Sequence, residues 1–97
     1  MTILLVCPDE DRLNRLKAAI QSAGFRTISA RSLDEAWAKT YSYDFDAVVI
    51  DYKLKNDIAA SAFRQRFITL NLDEDAVPEA VVMELTGLFR LGSRVVQ

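Results

Sequence analysis

An α/β fold built on a parallel sheet of about four strands is the class this sequence predicts, and three observations predict it. Residues Thr2 to Val6 and Ala47 to Asp51 are β-rich and apolar almost throughout, the pattern of strands buried on both faces. Between and beyond them, helical spacings alternate with further β-rich stretches. The connections are short, so each helix must carry the chain back to the same end of the sheet, which makes successive strands parallel.

The elements follow in order. Thr2 to Val6 is the first strand. Asp9 or Pro8 opens a helix through Ala23, because Leu13, Leu16, Ile20 and Ala23 recur at spacings of three and four and share one face. Gly24 supplies a left-handed stop. Phe25 to Ala30, "FRTISA", alternates in character and suits a strand at a sheet edge. Ser32 and Glu35 have the spacing of a capping box, so a second helix runs from there to about Tyr41. "AVVID" is the third strand. "DIAASAFRQR" then allows a short helix or turn, "FITLNL" a strand, and "VPEAVVMELTGLFRLG" a final helix with Pro78 in its first turn.

Composition narrows the chemistry. Ninety-seven residues, half of them apolar, make one domain over residues 1–97. A chain of this size buries roughly 60 to 70% of its unfolded surface. Net charge is −2 with the basic residues scattered, which argues against nucleic acid as a partner. Apolar runs fall far short of the ~20 residues that span a bilayer, so no membrane association and a cytoplasmic location are expected. One cysteine and no histidine exclude an internal disulfide, the usual zinc sites and any Ser-His or Cys-His pair. Cys7 reads as a small apolar residue ending a strand, since its sequence neighbours are acidic and a reactive thiolate needs positive surroundings. Trp37, Tyr41, Tyr43 and Tyr52 lack an accompanying basic groove and are expected to pack against the sheet.

If the chain runs from strand one to strand two and then crosses back to strand three, strands one and three become neighbours. Ligands in such sheets sit beyond the carboxyl ends of the strands where the winding reverses. That place lies between Cys7-Pro8-Asp9 and Asp51.

Here "ILLV", "LKAAIQSAGF", "SARSLDEAW" and above all "DFDAVVIDYKL" resemble the receiver domain of two-component response regulators, over about residues 2 to 57. The resemblance implies a flavodoxin-like, three-layer fold lacking one strand-helix unit. It implies a phosphorelay signalling role, without enzymatic activity of its own, and a histidine kinase or other protein as partner. It makes Asp51 the phosphoacceptor candidate and carries Asp9, Asp51 and Lys53 as the positions of a metal site. The departures are chemical. Receivers follow strand one with two adjacent acids that hold magnesium, whereas Cys7 and Pro8 stand there and Asp9 comes one place late. Magnesium demands hard oxygen ligands, so neither residue replaces a carboxylate. Without the ion, the repulsion between a carboxylate and a phosphate stands unscreened. The expectation is a degenerate receiver with impaired magnesium-dependent phosphorylation and no cofactor, Asp9 serving as a helix cap. The alternative is a working phosphoacceptor in which Asp9 and Asp51 rebuild a weaker magnesium site. Lys55 also replaces the proline that receivers carry after the aspartate, and Arg90 is a poor match for their phosphate-sensing lysine.

The carboxyl-terminal half fits two registers. In one, "FIT" is strand four, Thr69 matches the hydroxyl residue that contacts phosphate, and "LDEDAVPEA" is the next helix. In the other, "FITLNL" is strand five and "VPEAVVMELTGLF" the last helix, the intervening unit being deleted; this second register is preferred. The final helix is apolar over more than one stripe, and a shortened sheet leaves a strand edge uncovered. A homodimer or partner interface is expected there, with Val81, Val82, Leu85, Leu88 and Phe89 as its candidates.

Overall fold

The computed structural model describes residues 1–54 and 57–96, with side chains through Phe89, so the expectations for Lys55 and Arg90 lie outside what is described. Among the described residues eight elements alternate: β1 Thr2–Val6, α1 Glu10–Ser22, β2 Arg26–Ala30, α2 Leu33–Thr40, β3 Ala47–Ile50, α3 Ile58–Arg66, β4 Thr69–Asn71 and α4 Pro78–Val96. The strands form one four-stranded sheet in the order β2-β1-β3-β4, every pair parallel. The chain thus crosses back over β1 after β2, and β2 lies at an edge as its alternating character predicts.

Side chains alternate across the sheet and feed two cores. Ile3, Leu5, Ala47 and Val49 face α1 and α4, where they meet Leu13, Leu16, Ile20, Val81 and Leu85. Leu4, Val6, Val48 and Ile50 face α2 and α3, where they meet Leu33, Ala36, Ala60 and Phe63. β3 is buried along its whole length and β1 from Ile3 onward, which is why their sequences carry no alternation.

Local signals account for the helix ends. Asp9 caps α1, its Oδ1 accepting from the N–H groups of Asp11 (3.0 Å) and Arg12 (3.3 Å). Gly24 follows α1 at φ 96°, a conformation strained for any residue with a Cβ. Ser32 caps α2 through its Oγ, which accepts from Glu35 N–H at 3.1 Å. The other half of the box differs from the usual form: Glu35 Oε2 accepts from the N–H of Arg31 at 3.0 Å, one residue before the cap.

The structure separates the two registers and corrects the sequence reading in two places. The strand lies beside β3, and the helix that follows starts at Pro78, as the second register expects, rather than at Leu72, where the first would begin it. Val81 and Leu85 are core residues packed beneath α1 and β3, so they leave the interface candidates; the stripe they form is the helix's own buried seam. Tyr41, at the end of α2, is 90% exposed, and Tyr43 is exposed beside Phe45, so neither packs on the sheet as expected.

Candidate functional site

Two strand ends and one helix start meet at the carboxyl edge of the sheet. β3 ends at Ile50, and the ladder continues one residue further, Asp51 N–H donating to Val6 C=O at 2.9 Å. By the alternation of the strand, the Asp51 side chain points to the face that α1 covers. It is fully buried there. A buried carboxylate costs several kcal/mol unless its charge is compensated. Arg12, in the first turn of α1, compensates it: Arg12 Nε lies 2.8 Å from Asp51 Oδ1. The N–H is not directed at that oxygen, so the contact is an ion pair rather than an aligned hydrogen bond. Asp51 Oδ2 has no hydrogen-bond partner among the described residues.

Arg12 holds a third element as well. Its Nη1 donates to the carbonyl of Glu74 at 3.1 Å and its Nη2 to the carbonyl of Asp73 at 3.0 Å. Its guanidinium also stands 5.4 Å from the centre of the Tyr52 ring. One side chain therefore ties the start of α1, the end of β3 and the turn between β4 and α4. Nothing in the sequence reading singled it out. The available signal was its place in the helix, four residues before the buried Leu16 and three after the cap, which turns a cation toward the strand ends.

The other predicted site residues divide. Asp9 is exposed and its carboxylate serves the cap; the bond from Arg12 N–H, and then that from Asp11, hold its carboxyl below the ordinary carboxylate range. Cys7 is fully buried, with its thiol directed at the carbonyl of Asp9 at 3.5 Å, and burial pushes its pKa up. Lys53 is exposed in the turn after β3, its ammonium 5.9 Å from the Tyr52 ring centre. Among the described residues, no three Asp, Glu, Cys or His side chains gather where a metal ion could be held.

Thr69 is not beside Asp51, and its candidacy as a phosphate contact is corrected. It pairs with Val48, three residues back along β3, or about 10 Å away. Its hydroxyl donates to the carbonyl of Phe67 at 3.0 Å. The residue level with Asp51 is Leu72, whose N–H donates to Ile50 C=O at 2.8 Å and whose side chain is buried in the core. An apolar residue thus occupies the position where the hydroxyl was expected.

A carboxylate at the end of the third strand of a parallel sheet ordered 2-1-3-4 is the arrangement of a receiver fold. No family model matches the chain, and no curated protein matches it in sequence. Solved structures do. A two-component response regulator from Clostridium difficile superposes with a TM-score of 0.70 at 17% identity, over 93% of this chain and 96% of that one. The chemotaxis protein CheY4 of Vibrio cholerae gives 0.66 at 16% identity, over 88% and 95%. A response regulator receiver domain protein from Clostridium thermocellum gives 0.65 at 13% identity, over 97% and 98%. The chain has the receiver fold, with four strands among the described residues. Among the described residues no helix is long and apolar enough to cross a membrane.

Proposed function

We propose that this chain is a cytoplasmic signalling module of the receiver type that works through protein contacts, and in which magnesium-dependent phosphorylation is impaired. The observation that carries the reading is the Arg12–Asp51 pair. A receiver aspartate must expose a carboxylate oxygen to the phosphodonor and share a divalent cation with it. Both Asp51 oxygens are buried, and the positive charge beside them is a guanidinium. Arg12 supplies a single fixed positive charge with no coordination sites to offer a phosphate. The donor set does not fit magnesium either: Cys7 is a buried thiol, Pro8 has no ligand atom, and the Asp9 carboxylate is bonded to its own helix.

In this reading Arg12 makes permanent what phosphorylation makes conditional. It pins the turn at Asp73 and Glu74 to the end of β3, so the surface around α4 is presented in one arrangement. A protein partner, whether a histidine kinase or another component of the pathway, reads that surface without chemistry at Asp51.

Incubation with a small phosphodonor and magnesium, followed by intact mass, tests this. The expected result is no phosphoryl gain in the native chain. A stoichiometric gain that Asp51→Asn abolishes would overturn the proposal and favour the second reading, a working phosphoacceptor. What favours that second reading is Asp51 Oδ2, buried and without a hydrogen-bond partner among the described residues.

A further inference from the structure

Among the described residues, the buried side-chain nitrogens and oxygens that lack a hydrogen bond are Arg12 Nε and both carboxylate oxygens of Asp51. All three belong to one ion pair. Buried polar atoms are almost always satisfied, so the exception needs a cause. The cause lies in what else Arg12 holds. Its Nη1 and Nη2 donate to the carbonyls of Glu74 and Asp73, and a guanidinium is a rigid plane whose orientation two such bonds fix. In that orientation Nε comes within 2.8 Å of Asp51 Oδ1 without aiming its N–H there. One side chain answers two sets of acceptors, and the aligned bonds go to the turn rather than to the carboxylate.

Turning the guanidinium fully onto Asp51 reverses that allocation. It gives the buried carboxylate the paired, charge-assisted bonds that an arginine fork makes best, and it satisfies Nε in the same step. The turn loses two bonds from a cation to neutral carbonyls. Neither carbonyl is then stranded: that of Asp73 keeps the N–H of Ala76, at 3.1 Å, and Glu74 is exposed, where water replaces the lost donor. Packing leaves room as well. A cavity of about 130 Å³ lies between α1 and the start of α4, lined by Arg12, Arg15, Leu16, Ala76, Val77 and Pro78, so the residues that follow the turn are not close-packed on α1 at this point.

We infer that the Asp73–Glu74 turn is a strap and Arg12 its latch. The chain has two arrangements, one with the turn held and Asp51 poorly bonded, the other with Arg12 forked onto Asp51 and the turn released. The inference rests on the pair that carries the proposed function and adds a regulation to it. The strapped arrangement prevails in the free chain. A partner that engages the start of α4 draws out the other, and the two carboxylate oxygens gain their donors as it does. Asp51 and the surface at α4 are thereby coupled without phosphate, each arrangement of one selecting an arrangement of the other.

NMR relaxation dispersion on the full chain, without phosphodonor or magnesium, tests the strap. The expected result is one microsecond-to-millisecond process shared by the amides of Glu74, Asp75, Ala76 and Val77 and by the Arg12 Nε–H. Asp51→Asn removes the charge that draws the guanidinium over, so the minor population falls roughly tenfold and the dispersion flattens. Arg12→Lys keeps a cation for Asp51 but has no fork to hold both carbonyls, so its ground-state shifts at Glu74 to Val77 coincide with those of the native minor state. Absence of the process in the native chain would overturn the inference. So would an Asp51→Asn variant whose turn loosens or keeps its dispersion, or Arg12→Lys shifts unrelated to the minor state. Phosphoryl uptake is read separately, so a rigid turn leaves the proposed function standing, and a phosphorylated Asp51 leaves the strap standing.

Discussion

The two faces of the sheet are built from alternate residues of the same strands, yet they end differently. Toward α2 and α3 the face is apolar from Leu4 and Val48 to Val6 and Ile50, and Phe63 closes it against Trp37 with ring centres 4.1 Å apart. Toward α1 and α4 the same progression runs through Ile3, Leu5 and Val49 and then reaches Asp51, a buried charge held by one arginine. One face is stabilised by packing alone. The other carries a charge whose stability depends on a specific partner, and this is the face that the candidate function uses.

The largest expected effect is on the packed face. Phe63→Ala leaves a cavity under α3 and lowers unfolding free energy by about 4 kcal/mol, measured by urea titration. Next comes Arg12→Ala, which abandons a buried carboxylate and costs about 3 kcal/mol in the same titration. The contrast is sharpened by a second substitution. Arg12→Met with Asp51→Leu removes both charges and recovers most of that loss, whereas no partner change rescues the Phe63 cavity. If the double variant is as unstable as the single, the distinction between the faces fails.

Smaller effects are set by protonation. Cys7 has its pKa raised above 9.0 by burial, so the unfolded thiol ionises first. Its contribution is complete below that value and declines as pH climbs through the raised native pKa; alkaline unfolding curves should show the decline, and Cys7→Ala should remove it. Asp9 shifts the other way. Its carboxyl is held low in the native state, so its capping contribution is present above the ordinary carboxylate range and is lost as pH falls through the native value. Asp9→Ala should therefore destabilise α1 at neutral pH, with the smallest change of this series, and make no difference in strong acid. Thermal melts at the two pH values check it.

Much of this was legible in the chain. Continuous apolarity marked β1 and β3 as central, the spacing of Leu13, Leu16 and Ile20 marked α1, and Ser32 and Gly24 marked helix ends, because each rests on chemistry within a few residues. The place of β4 was not legible. Three paired residues are too few to carry a pattern, and only the ladder to β3 shows that Thr69 lies well below Asp51. Val81 and Leu85 were misread for a related reason: a broad apolar helix looks the same whether its stripe meets its own core or a partner. Arg12 escaped notice because its partners lie on two distant segments, Asp51 with Tyr52 and Asp73 with Glu74, brought together only by the fold.

One consequence follows from where two rare residues fall. The chain has a single tryptophan and a single cysteine, and they lie on opposite faces of the sheet, Trp37 stacked on Phe63 and Cys7 beneath α1. Indole fluorescence thus reports the α2 and α3 layer, while the rate of thiol labelling reports the α1 and α4 layer. The molecule carries its own pair of native probes, with which coincident or separate loosening of its two layers can be timed without introducing any label site.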